Sequence, residues 1–101
     1  MKPMAIYTAG LWTVKPGKEA QFVEAWQELA ASSAQEFPGA SAVLLRDRDG
    51  PNVFLSCGPW QSLEQVEAWR ASAVFQQSLT KIRPLLDGFE PHTMDSVAAS
   101  T

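Results

Sequence analysis

Apolar and polar positions change period along the chain in a way that lays out its elements before any single residue is weighed. Met4 to Val14 (MAIYTAGLWTV) is dense in β-forming residues and stops at Lys15-Pro16-Gly17, which predicts a first strand closed by a turn. One parity of that strand carries Met4, Ile6, Thr8, Gly10, Trp12 and Val14, and the other Ala5, Tyr7, Ala9, Leu11 and Thr13. Both sets are largely apolar, so both faces of the strand need covering. From Lys18 the spacing becomes helical: Phe22, Trp26, Leu29, Ser33 and Phe37 form one stripe, Glu19, Gln21, Glu24, Gln27 and Glu28 occupy the other faces, and Pro38-Gly39 ends the helix.

Ala40 to Arg46 reads as a second strand, Asp47-Arg48-Asp49-Gly50 as a hairpin loop, and Asn52 to Gly58 as a third strand. Ser62 starts the second helix. Its hydroxyl is placed to accept from the Gln65 backbone while the Gln65 amide reaches back, in the S-x-x-Q form of a capping box. Leu63, Val66 and Trp69 follow at helical spacing. Ser72 is positioned to recap the chain after a bend, and Phe75, Leu79 and Ile82 continue the apolar stripe until Pro84 and Asp87-Gly88. Phe89 to about Val97 is the last strand, with a frayed tail over roughly 96–101.

The order β-α-β-β-α-β with right-handed crossovers gives an α+β fold, a four-stranded antiparallel sheet with both helices on one face. The opposite face, lined by Tyr7, Ala9 and Leu11, is then bare and apolar. A second copy packing its own sheet there, as a homodimeric barrel, is the expected cover.

Composition narrows the function classes. With 101 residues, 46% hydrophobic and 19% charged, the chain fits one globular domain spanning 1–101. The net charge is −3 and the eight basic residues are scattered, so a nucleic-acid partner is not expected. Cys57 is the single cysteine, and no long apolar span points to a membrane; a cytoplasmic protein is the expectation. No metal-ligand cluster, nucleophile elbow or phosphate loop is present in the pattern, so no metal site is expected.

Several short elements in order carry a family likeness: the strand ending in Val14-Lys15-Pro16-Gly17, the amphipathic helix, Phe54 to Ser62 (FLSCGPWQS), the W-x-x-S-x-x-F of Trp69, Ser72 and Phe75, and Phe89-Glu90-Pro91-His92. Over roughly residues 4–95 the chain resembles the antibiotic biosynthesis monooxygenase family. The resemblance implies a homodimer of ferredoxin-like subunits, each with an apolar pocket between helices and sheet. It implies oxidation of phenols or anthrones to quinones by molecular oxygen with no metal, flavin or haem cofactor, or else haem degradation.

The resemblance places Trp69 at the pocket tryptophan, where an indole would stack on a planar substrate; by spacing alone it is core packing. The haem-degrading branch also uses an asparagine and a histidine at positions matching Gly10 and Leu79, neither of which can serve iron, so haem degradation is not expected. The quinone-forming branch has an asparagine and a tyrosine where this chain has Gln65 and Phe75. Gln65 keeps a side-chain amide, though the capping box also claims it. His92, the only histidine, is the candidate proton acceptor if it faces the pocket, with a surface or interface place as its other reading. Trp69, Gln65 and His92 are therefore the catalytic candidates, and Gly10, Trp12, Phe75, Leu79 and Arg83 the substrate-binding ones. Gly10 inside a strand marks a close approach, with either Trp69 or a ligand in the space. Trp60 is expected to pack the strand-helix junction. Two functions follow: oxidation of a small aromatic without a cofactor, or binding of a small apolar ligand without turnover.

Overall fold

A computed structural model describes residues 5–100. The strands are β1 (Ile6–Val14), β2 (Val43–Arg46), β3 (Val53–Trp60) and β4 (Leu86–Asp95). The helices are α1 (Glu19–Glu36), α2 (Leu63–Ala71) and α3 (Ala73–Ile82), and a 3-10 turn at Arg83–Leu85 leads into β4. All pairings are antiparallel, in the sheet order β2-β3-β1-β4. This is the expected ferredoxin-like α+β architecture, with the second helix divided in two. Met4, read as the start of the first strand, lies outside the described residues.

The division at Ser72 has a local cause. Its extended backbone interrupts the helix, its hydroxyl donates to the Trp69 carbonyl at 2.6 Å, and the same oxygen accepts from the Phe75 N–H at 3.2 Å. One side chain closes α2 and opens α3. At the start of α2 the Ser62 hydroxyl accepts from Gln65 N–H at 3.1 Å as expected, but the Gln65 side-chain oxygen Oε1 reaches past Ser62 and accepts from Gln61 N–H at 3.0 Å.

Two boundaries differ from expectation, the first of them because of Gly58. A Cβ there would sit 2.0 Å from the Ser41 carbonyl oxygen. Residues 40–42 thus cross the sheet against a backbone with no side chain, instead of pairing, and β2 begins only at Val43. β3 continues through Pro59 to Trp60, which opposes Ile6 of β1. β4 starts earlier than expected and ends at Asp95; beyond it the Ser96 N–H donates to the Ala5 carbonyl at 2.8 Å, so the tail is tied at its first residue.

Burial follows β1 parity. Gly10, Trp12 and Val14 are buried toward the helices, whereas Tyr7 and Leu11 are 37% and 38% exposed. Trp12, Val14 and Phe54 from the sheet pack with Phe22, Leu29, Phe75, Leu79 and Ile82 from the helices as one core. On the other face, Leu55 opposes Leu11, Val43 and Leu45 extend the patch across β2, and Met94 opposes Tyr7. That face is apolar and uncovered by the helices.

Candidate functional site

Under the helices the core does not close completely. A half-enclosed chamber of about 680 Å³ of atom-free space, its open side included, lies between β1, β3 and β4 below and α1 and α2 above. All four tryptophans of the chain, Trp12, Trp26, Trp60 and Trp69, line it. Four indoles around one space make its walls flat, apolar and polarisable, which suits a planar aromatic guest.

Three of these indoles are pinned by hydroxyls. Trp12 Nε1 donates to Ser56 Oγ at 2.9 Å, Trp60 Nε1 to Thr8 Oγ1 at 2.9 Å, and Trp69 Nε1 to Ser33 Oγ at 2.8 Å. Each pair joins two elements: β1 to β3, β3 to β1, and α2 to α1. The indole N–H has no other way to be satisfied in an apolar wall, and each bond fixes the plane of its ring. Ring contacts complete the frame: Trp60 and Trp69 are 4.9 Å apart, Trp69 and Phe75 4.4 Å, and Trp12 stacks on Phe89 at 4.0 Å and 17°.

Of the residues expected to form the site, the structure brings Gly10, Trp12, Trp69 and Phe75 to the chamber. Gly10 is explained differently from either expectation. A Cβ there would stand 2.9 Å from Ser56 Oγ, 3.0 Å from Trp12 Nε1 and 3.2 Å from a carbon of the Phe89 ring. The space is occupied by the Trp12–Ser56 hydrogen bond and by Phe89, not by Trp69 or a ligand. Leu79 is buried in the core and, with Arg83, lines a neighbouring groove rather than the chamber.

Two catalytic candidates lie elsewhere. His92 opposes Ala9, so its side chain belongs to the sheet face turned away from the helices, while its neighbours Pro91 and Phe89 reach the chamber. Gln65 is engaged at Gln61 and is absent from the chamber wall. Neither side chain lines the chamber.

Three wall residues were not anticipated. Trp60, read as a junction residue, is the last residue of β3 and shares the inward parity of Phe54 and Ser56. Ser33 is the one buried polar residue among those described, and its place in the apolar stripe of α1 was the available signal: a hydroxyl among Phe22, Trp26 and Leu29 requires a partner. Arg70, at the last turn of α2, reaches β4, where its guanidinium donates to Thr93 Oγ1 at 2.5 Å and to the His92 carbonyl at 3.1 Å. Both acceptors are neutral, and three of its five N–H groups are left over from these two bonds.

Among the described residues no three His, Cys, Asp or Glu side chains gather as a metal-binding group, and no helix is long and apolar enough to cross a membrane. The wall contains hydroxyls and one guanidinium but no histidine, carboxylate or tyrosine.

Residues 5–81 match the model of a family described as antibiotic biosynthesis monooxygenase. No curated protein matches the chain in sequence. Solved structures share its fold. A mutant of SnoaB, a cofactor-independent oxygenase from Streptomyces nogalater, is 24% identical, with 95% of this chain and 96% of that chain covered and a TM-score of 0.85. A Caulobacter crescentus CB15 protein is 21% identical over 93% and 91% of the two chains, with a TM-score of 0.84. A conserved protein from Methanosarcina mazei Go1 is 17% identical over 92% and 93%, with a TM-score of 0.81.

Proposed function

Because the chain belongs to the antibiotic biosynthesis monooxygenase family, we propose that it oxidises a small planar aromatic of the phenol, anthrone or quinol type with molecular oxygen and without a bound cofactor. The observation that carries this reading is the convergence of all four tryptophans on one chamber, three of them held in orientation by hydroxyls. SnoaB, which has the same fold, is a cofactor-independent oxygenase, and the reading extends that chemistry here.

In this chemistry the substrate is the reductant. An anthrone-type carbon gains one oxygen atom as a carbonyl and loses two hydrogens, which leave with the second oxygen atom as water. The ionised phenolate or enolate is the species electron-rich enough to react with oxygen, so the protein's tasks are to bind it flat, favour its anion and exclude water. The indole walls do the first and third. For the second the chamber wall holds no histidine, carboxylate or tyrosine among its described residues, so the anion has to come from the acidity of the substrate itself. The proton is released through the open side to water, which restricts the substrates to those already acidic.

A second reading is favoured by the same wall: without a histidine, carboxylate or tyrosine among its described lining, and with Phe75 in place of a hydroxylated ring, the chamber suits a ligand held without turnover. Either way the working unit is a homodimer in which a second copy covers Tyr7, Leu11, Leu45 and Leu55. A cytoplasmic location suits its unpaired cysteine, Cys57.

Oxygen uptake with 1,8-dihydroxyanthrone and a panel of dihydroxynaphthalenes separates the readings. The oxygenase reading expects protein-dependent uptake of one oxygen molecule per anthrone oxidised, with one atom of labelled oxygen in the anthraquinone formed. Saturable quenching of tryptophan fluorescence by the same compounds with uptake no faster than in buffer would overturn it in favour of binding alone.

A further inference from the structure

Beside the chamber, and sharing Arg70, Phe75, Phe89 and Pro91 with it, runs an open groove that continues past Leu79 to Arg83 and Asp87. The chamber's own walls carry no charge other than Arg70. The groove adds a second guanidinium, and only one carboxylate, Asp87, stands against the two. Arg70 therefore sits where a flat apolar space meets a cationic one, with its charge uncompensated by the neutral Thr93 and His92 acceptors that hold it.

We infer that the ligand is an aromatic acid: its rings occupy the tryptophan chamber, and a carboxylate on a short substituent lies in the groove against Arg70, with Arg83 adding to the attraction. This rests on the reading of the chamber as the ligand site and holds whether or not the ligand is turned over. The chemistry fits because a guanidinium pairs with a carboxylate through two parallel N–H bonds, and Arg70 retains enough donors to do so without releasing β4. Phe75 and Phe89, which stand between the two spaces, are the apolar collar the substituent must pass.

The test compares anthraquinone-2-carboxylate with its neutral carboxamide, following quenching of the intrinsic fluorescence of the full chain in low salt. The acid is expected to bind about tenfold more tightly than the amide, as a charge-assisted pair at a partly buried site does. Arg70→Gln should remove most of this preference and Arg83→Gln a smaller part, while Asp87→Asn should increase it. Arg70→Lys keeps the charge and should retain a preference, which separates loss of recognition from loss of the tie to β4; a melting curve for each variant checks the fold. Equal affinity for acid and amide in the unaltered protein, or a preference that survives in the Arg70→Gln, Arg83→Gln double variant, overturns the inference and leaves the chamber standing. Binding of neither compound overturns the inference and the chamber reading together.

Discussion

The two faces of the sheet are made from the same strands and differ by one residue of parity, yet they solve opposite problems. On the helix side, Trp12, Phe54 and Trp60 lie under α1, α2 and α3, the indoles of Trp12, Trp60 and Trp69 find Ser56, Thr8 and Ser33, and no buried side-chain nitrogen or oxygen among the described residues lacks a partner. On the other side, Tyr7, Leu11, Val43, Leu45, Leu55 and Met94 are each more than a third exposed. The inner face is complete within one chain apart from the chamber. The outer face is a continuous apolar surface of a kind a small monomer rarely leaves in water. A rule of alternation thus separates a packed face that holds a chamber from an exposed apolar one within a few residues of sequence.

The contrast is sharpest at single positions. Phe22 is fully buried between Trp12 and Phe54, with ring centroids at 5.3 and 5.0 Å, and Phe22→Ala should cost about 3–5 kcal/mol of unfolding free energy by urea denaturation. A smaller loss would mean that the inner face is not the packed one. On the outer face the paired change Leu11→Asp with Leu55→Asp should leave each chain folded while weakening self-association roughly a hundredfold, because both carboxylates would have to be desolvated. Sedimentation velocity reads this directly, and an unchanged sedimentation coefficient in the variant would show that this face is not the contact. Ser33→Ala returns to the inner face and strands the Trp69 N–H, which should lower stability by about 1–3 kcal/mol and broaden the Trp69 environment in fluorescence. Ser33→Thr, which keeps the acceptor, should recover much of that loss.

Most of the architecture was legible because the pattern of apolar positions and the turn residues agree. Tyr7 and Leu11 against Gly10 and Trp12 fix the parity of β1, and Ser72 announces the break between α2 and α3 through its own hydrogen bonds. What escaped depends on contacts between distant segments. The shortening of β2 follows from Ser41 crossing Gly58, which no local pattern encodes. Trp60 was hidden by Pro59, which looks like a strand end but lies opposite Tyr7 within the pairing. His92 could have been excluded by counting: Phe89 faces inward, three residues reverse the face, and the register with Ala9 confirms it. Arg70 was overlooked beside Trp69 because a basic residue at a helix end ordinarily needs no explanation; its hydrogen bonds to β4 give it one.

Small effects are informative where parity demands them. His92→Ala should leave ligand affinity and any oxygen uptake within about twofold of the unaltered protein, since a surface-face change away from the guest is close to neutral. Trp69→Phe, which retains an aromatic ring but loses the bond to Ser33, should reduce them by about tenfold or more. The most direct measurement is therefore the rate of oxygen consumption with 1,8-dihydroxyanthrone for these two variants beside the unaltered chain, each shown by melting curve to be folded. Protein-dependent uptake should fall with Trp69→Phe and persist with His92→Ala; uptake lost with His92→Ala and untouched by Trp69→Phe would place the chemistry on the outer face of the sheet and overturn the assignment of the chamber.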